Sequence, residues 1–229
     1  MKRTDHVLGD TDGFKAETTP DPDAARPGGW GRYLRTERLG DVVLVTMDDP
    51  SGRANKTTEL FKEELDALLS ALEAVPAPAG LLIRSAKSSF GVGGDIGQVT
   101  GFAGQGEAAS FADSERIKAL FLRLERLPFP SVALLEGTAA GGGWELALAC
   151  DMRLCVDVDT IRLGLPEVTF GLVPGAGGMV RLPHMVGLER AGALIAGARM
   201  QTPAEAAADG LVDALVPDRA ALLQAGINS

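Results

Sequence analysis

Four consecutive apolar residues, Val132-Ala133-Leu134-Leu135, stand between Pro130 and Gly137 with no polar side chain among them. A strand with one wet face alternates polar and apolar positions, so this one has to be covered on both faces. The rest of the chain supplies the cover. Thr58 to Ala74 carries Phe61, Leu65, Leu68, Leu69 and Leu72 at helical spacing, with charges on the opposite face. A second such helix spans about Phe111 to Leu127, with Ile117, Leu120, Phe121 and Leu124 inward and Pro128 and Pro130 stopping it. Between and around them lie short strand patterns: Tyr33–Glu37 and Asp41–Met47, joined at Leu39-Gly40-Asp41, then Leu81–Ile83, Arg153–Val158 and Ile161–Leu165.

Further helices are expected at Trp144–Cys150 and Ala191–Met200. Thr202-Pro203-Ala204-Glu205 is a capping box with Pro at the first helical position, opening a short helix that ends at Gly210. Strands alternating with helices at this spacing define an α/β domain of repeated β-β-α or β-α units. No internal sequence repeat signals a solenoid. Residues 1–29 lack apolar periodicity and read as a flexible leader, leaving residues 30–229 as one domain. Gly97 to Gly106 is either a loop that closes over a substrate or a slack surface connection.

The composition narrows the function. With 229 residues, 45% of them hydrophobic, the chain can bury one sizeable core. A net charge of −9 and a pI near 4.8 exclude a nucleic-acid backbone as partner, because that binding depends on a dense basic patch. No run is long and apolar enough to span a membrane, and the first thirty residues contain no signal-peptide core. Cys150 and Cys155 are too few for a disulfide framework and have no neighbours that would make a zinc site. They read as small buried residues of a protein in a reducing cytoplasm.

The chemistry-bearing residues gather around glycine. Neither Phe90-Gly91-Val92-Gly93-Gly94-Asp95 nor Gly141-Gly142-Gly143 has the spacing of a dinucleotide or nucleoside-triphosphate cradle. The triple-glycine turn does give a helix N-terminus bare of side chains, where unpaired N–H groups can meet an oxyanion, although glycine in such a place also serves tight packing. Glu145, in the first turn of that helix, fits either a site carboxylate or a group that complements the helix dipole. Glu167, after Leu165-Pro166 and before the loop Gly171 to Gly178, fits either a site acid or an ordinary loop carboxylate. Trp144 can narrow a pocket or fill the core.

Taken in order along the chain, these segments resemble the crotonase superfamily, the enoyl-CoA hydratases and isomerases. SSFGVGGDI (88–96) is similar to the family's first oxyanion-hole segment, EGTAAGGGWELALACD (136–151) to the second, and LGLPEVTFGLVPGAGG (163–178) to its second acidic segment. RLPHMVG and AADGLVDALVP extend the likeness, which covers roughly residues 32–225 and is nearest in flavour to the hydratase portion of multifunctional fatty-acid β-oxidation α-subunits.

That resemblance implies a crotonase-like (ClpP/crotonase) spiral of β-β-α units, and a C-terminal helical region, from about residue 189, that is shorter than in relatives. It implies Glu145 and Glu167 as the catalytic acid/base pair, and the N–H groups of Val92 and Gly142 as the oxyanion hole. It places the CoA of an acyl-CoA thioester along Arg53, Asn55 and Lys56 and the turn Gly93, Gly94, Asp95 and Ile96, with Gly175 near the water. Arg53 or Lys56 stands near a phosphate or is simply solvated. The expected reaction is hydration of a 2-enoyl-CoA, without metal or organic cofactor beyond the substrate's CoA. The expected assembly is a homo-oligomer, trimer or hexamer. Isomerisation, thioester hydrolysis and decarboxylation use the same hole, and a catalytically silent scaffold is the alternative of another class.

Overall fold

The computed structural model describes residues 31–74, 76–94 and 106–229. The expected leader and most of the Gly97 to Gly106 loop lie outside them. Among the described residues the principal sheet has six strands: β1 (Leu34–Leu39), β2 (Val42–Met47), β3 (Gly80–Ser85), β4 (Ser131–Leu135), β6 (Met152–Val156) and β8 (Ala214–Val216), in the order β1-β2-β3-β4-β6-β8. Only β1 and β2 are antiparallel, joined by a turn in which Gly40 has φ 64°. Every other neighbouring pair is parallel.

The two-faced burial expected of Val132 to Leu135 is observed: all of β4 is buried, in the middle of the sheet. Helix α1 (Glu59–Ala74) lays Phe61, Leu65, Leu68, Leu69 and Leu72 into the core, and α2 (Glu107–Glu125) adds Ile117, Leu120, Phe121 and Leu124. The second of these starts four residues before Phe111, which is itself 65% exposed and so is no marker of the inner face. Lys62, buried in α1, is paired with Asp113 of α2 and with Glu59, tying the two helices together by a charge that burial alone would penalise.

Three further helices follow α3 (Gly142–Leu148): α4 (Gly178–Val186), α5 (Leu188–Ala196) and α6 (Pro203–Ala208), the last with its capping box formed by Thr202 and Glu205. The chain closes with α7 (Arg219–Asn228), capped by Asp218. Gly226 of α7 lies so near the sheet that a β-carbon there would come within 2.8 Å of Leu134. The two thiols are buried, Cys155 fully, and burial pushes both up to about 12, so they behave as small core residues.

A second, smaller layer decides where the site forms. Strands β5 (Ala139–Ala140) and β7 (Leu163–Gly164) pair in parallel, Ala139 opposite Leu163. Gly91 bridges Ala139 in the same sense, and Gln201 closes the other side against Leu163. The strand expected over Ile161–Leu165 is therefore two residues long and belongs to this layer. Its backbone is packed against the 199–201 segment: a β-carbon on Gly164 would sit 2.7 Å from the Arg199 carbonyl.

Candidate active site

Parallel neighbours in register deliver the segments that leave their C-terminal ends to one place. Gly91 leads into Val92 to Gly94, β5 into the glycine turn and α3, and β7 into Glu167. The backbone bonds that fix this are Ala140 N–H to Gly91 O (2.9 Å) and Gly141 N–H to Gly164 O (3.0 Å). Three segments distant in sequence thus meet at one edge of a layer only two residues deep.

Their approach is close enough to require glycine. A β-carbon on Gly143 would come within 2.4 Å of the Gly91 carbonyl carbon and oxygen, a distance no side chain can occupy. Gly141 has φ 54° and ψ −132°, and a β-carbon there would lie 3.0 Å from Glu167 Oε1 and 3.5 Å from Gly93 Cα. Gly141 therefore marks the point where both glycine turns and Glu167 converge. A small cleft opens between the turns, lined by Gly93 and Gly142 with Lys56, Thr57, Phe61 and Leu146 around them.

Glu145, in the first turn of α3, is 2% exposed. Its Oε1 accepts N–H bonds from Ala176 and Gly178, each 2.8 Å. Burial pushes its proton affinity up, while the Gly178 and Ala176 donors and the nearby Arg181 charge pull the other way. Glu167 opens a 3-10 turn (Glu167–Phe170) and is half-buried. Its Oε2 is buried with no partner among the described residues. Burial raises its pKa from 4.5 to about 7, its own backbone N–H lowers it, and the Glu145 charge adds to the rise.

The two turns differ in what they offer an oxyanion. Among the described residues no acceptor takes the Gly142 N–H, the first of α3. The Val92 N–H, expected to be open, instead donates to Asn55 O at 3.0 Å. That is a correction: Val92 can serve a thioester oxygen only by exchanging or sharing this bond.

Asn55, expected on the segment along which the CoA tail lies, has a side chain that is 2% exposed and engaged within the protein: Oδ1 accepts from Asp49 N–H (2.9 Å), and Nδ2 donates to Ser85 Oγ (2.8 Å), Phe90 O (3.1 Å) and Met47 O (3.3 Å), so only its backbone can meet a ligand there. It pins the 49–57 segment to β2, β3 and the first glycine turn. That segment does run beside the turn, with Thr57 N–H donating to Gly93 O at 3.0 Å. Arg53 is exposed there, and Lys56 is half-buried with its carbonyl accepting from Tyr33 OH at 2.8 Å. Gly93 is buried and Gly94 exposed, while Asp95 and Ile96 lie outside the described residues. Gly175 is exposed and its carbonyl accepts from Ser114 Oγ at 2.9 Å. Trp144 is 1% exposed, a core residue.

Sequence reasoning missed Ala176, Gly178, Ser114 and Arg181. The first two act through backbone N–H groups, which leave no mark on residue identity. Arg181 sits in α4, whose Pro183 disguises it as a loop; it donates to Ala176 O (3.1 Å) and to Glu125 Oε2 through Nη2 (2.8 Å).

Comparison with known proteins gives concordant results. An enoyl-CoA hydratase/isomerase family model matches residues 37–228. The chain is 40% identical, over 77% of its length, to the fatty acid oxidation complex subunit alpha of Aliivibrio fischeri, and spans 26% of that protein. It thus covers about a quarter of the curated relatives it matches. Among solved structures, the enoyl-CoA hydratase of Bacillus anthracis is 31% identical with a TM-score of 0.77, covering 86% of this chain and 74% of that one. That of Thermoplasma volcanium is 28% identical with a TM-score of 0.78, covering 86% and 77%.

Proposed function

The chain belongs to the enoyl-CoA hydratase/isomerase family, and from that premise we propose that it adds water across the 2,3 double bond of a 2-enoyl-CoA thioester. The fold and the family support a crotonase-type reaction on an acyl-CoA. The choice of hydration is supported by one observation: two carboxyl groups beside the triple-glycine turn lie near enough for the Glu145 charge to act on Glu167, and their surroundings differ. Burial raises the proton affinity of Glu145 on balance, but two N–H donors on one oxygen and the nearby Arg181 charge favour its ionised form, and it is these that suit it to the base. Glu167, with a bare buried oxygen and a pKa of about 7, is suited to holding a proton at neutrality.

In this reading Glu145 takes a proton from water as the water oxygen bonds to C3. The double-bond electrons move through C2 onto the thioester oxygen, where the Gly142 N–H meets the developing charge, joined by Val92 if it releases Asn55. Glu167 then gives its proton to C2, and the carbonyl re-forms. Solvent exchange returns each carboxyl to its starting state. No redox step arises, so no cofactor beyond the CoA of the substrate is proposed. A homo-oligomer in a reducing cytoplasm remains part of this reading.

The test is incubation of the purified chain with crotonyl-CoA while following loss of enoyl-thioester absorbance. A product heavier by one water, with CoA still attached, is expected. Turnover no greater than that of a Glu145→Gln/Glu167→Gln double variant would sink the proposal, and titration with a saturated acyl-CoA then tells a silent binder from a chain that binds nothing.

A further inference from the structure

The groups that hold Glu145 are themselves held by side chains of α2 and α4. The peptide unit joining Gly175 and Ala176 has both ends engaged: its N–H donates to Glu145 Oε1 (2.8 Å), and its carbonyl accepts from Ser114 Oγ on α2 (2.9 Å). A hydrogen bond accepted at the carbonyl polarises the amide and strengthens its N–H as a donor. The next peptide unit is engaged as well, since Ala176 O accepts from Arg181 Nη1 (3.1 Å), and Arg181 is fixed by Glu125 of α2 through Nε (3.1 Å) and Nη2 (2.8 Å). Two side chains thus clamp the 175–178 turn through its carbonyls, while its N–H groups serve Glu145.

We propose that Ser114, with the Glu125-anchored Arg181, is a positioning residue for Glu145, acting through the Gly175–Ala176 peptide to keep its N–H aimed at the carboxylate. The role of Glu145 in turnover rests on the hydratase reading, but the hydrogen-bond chain does not. The charged groups facing Glu145 are Arg181 from α4 and Glu167 from the 3-10 turn; behind them stand Glu125, and next to Ser114 the Asp113–Lys62 pair. Ser114 is the one uncharged member. Removing its hydroxyl changes the amide's donor strength without changing any charge in the site, so its effect on Glu145 is a readout that packing alone does not give.

The experiment follows the Glu145 side-chain carboxyl by nuclear magnetic resonance in carbon-13-glutamate-labelled protein, assigned by its disappearance in Glu145→Gln. In Ser114→Ala the titration midpoint should rise by roughly 0.5–1 pH unit, the equivalent of one weakened hydrogen bond. Ser114→Thr, which keeps the hydroxyl, should restore it. The Ala176 amide proton, which reports the bond directly, should move upfield in Ser114→Ala and return in Ser114→Thr. In hydration of crotonyl-CoA the Ala variant should lose roughly two- to tenfold in kcat with KM nearly unchanged.

An unmoved Glu145 midpoint together with an unmoved Ala176 amide in folded Ser114→Ala overturns the proposal. Should the Ala variant not fold, Ser114→Cys, similar in size and a weak donor, carries the same two tests. Because neither resonance measurement needs turnover, a wild type that fails to hydrate crotonyl-CoA defeats the hydratase reading while the role of Ser114 stands or falls on the resonances alone.

Discussion

Glu145 and Glu167 are near enough for the charge of one to act on the other, yet the fold treats them differently. Glu145 sits on a helix, fully buried, with two backbone donors on one oxygen and a guanidinium nearby. Glu167 sits on a short 3-10 turn, half-exposed, with one oxygen that no described group satisfies. An unpaired buried carboxylate oxygen is costly when charged, and protonation relieves it. The contrast teaches that identical side chains can be furnished differently by their surroundings alone, with donors that favour charge on one and a bare oxygen that favours a proton on the other.

Replacing either carboxyl should break the pairing outright. Glu145→Gln and Glu167→Gln are each expected to lower kcat by roughly 10²–10⁴-fold, the usual worth of a positioned acid or base. The double variant should be little worse than the poorer single one, because the two act as a unit. Full additivity in crotonyl-CoA hydration would mean that they do not cooperate.

A side chain at the point of convergence should spoil the geometry while leaving both carboxyls in place. Gly141→Ala adds a methyl 3.0 Å from Glu167 Oε1 on a backbone with φ 54°. A displacement on this scale typically costs about 100-fold in turnover. Near-normal kcat in that variant would show that Glu167 does not act from this position.

Acidity sharpens the comparison. With its pKa raised to about 7 in the free protein, Glu167 loses its proton as pH rises through that value, so kcat/KM should fall on the alkaline side with a midpoint near there. The limb should vanish from the residual activity of Glu167→Gln. A limb that survives unchanged in Glu167→Gln belongs to another group.

The smallest expected effect is on stability. Relative to an unfolded value of 4.5, the folded pKa of Glu167 is raised. Its contribution to stability is therefore complete below about 4.5 and is lost as pH rises through about 7. Glu167→Gln has no such loss to suffer from this group. It should melt about 2–4 °C above wild type at pH 8 and show no such advantage at pH 4, a modest figure because solvent screens a half-exposed carboxyl. Melting curves that cross in the opposite sense would contradict the raised pKa.

Much of this molecule is legible in its residues. The hydrophobic stripes of α1 and α2 and the two-sided burial of β4 are written in side-chain periodicity, and the capping box of α6 in four adjacent residues. What escaped was whatever depends on few residues or on none in particular. The strand β5 is too short for periodicity to register, β7 is shorter than the strand expected around it, β8 is only three residues long, and α4 carries Pro183, a residue that sequence alone reads as a stop.

Within the site the same division holds. The order of residues marks Glu145, Glu167 and the two glycine turns, because carboxyl chemistry and the absence of a side chain are properties of the residue itself. Only the tertiary structure assigns Ala176 and Gly178 to Glu145, leaves Glu167 Oε2 bare, engages Val92 with Asn55, and sets Ser114 behind the turn. Every residue but proline has a backbone N–H, so the sequence cannot say which donor meets which acceptor; that is fixed by the register of Gly91, Ala139 and Leu163, which lie far apart along the chain and adjacent in space.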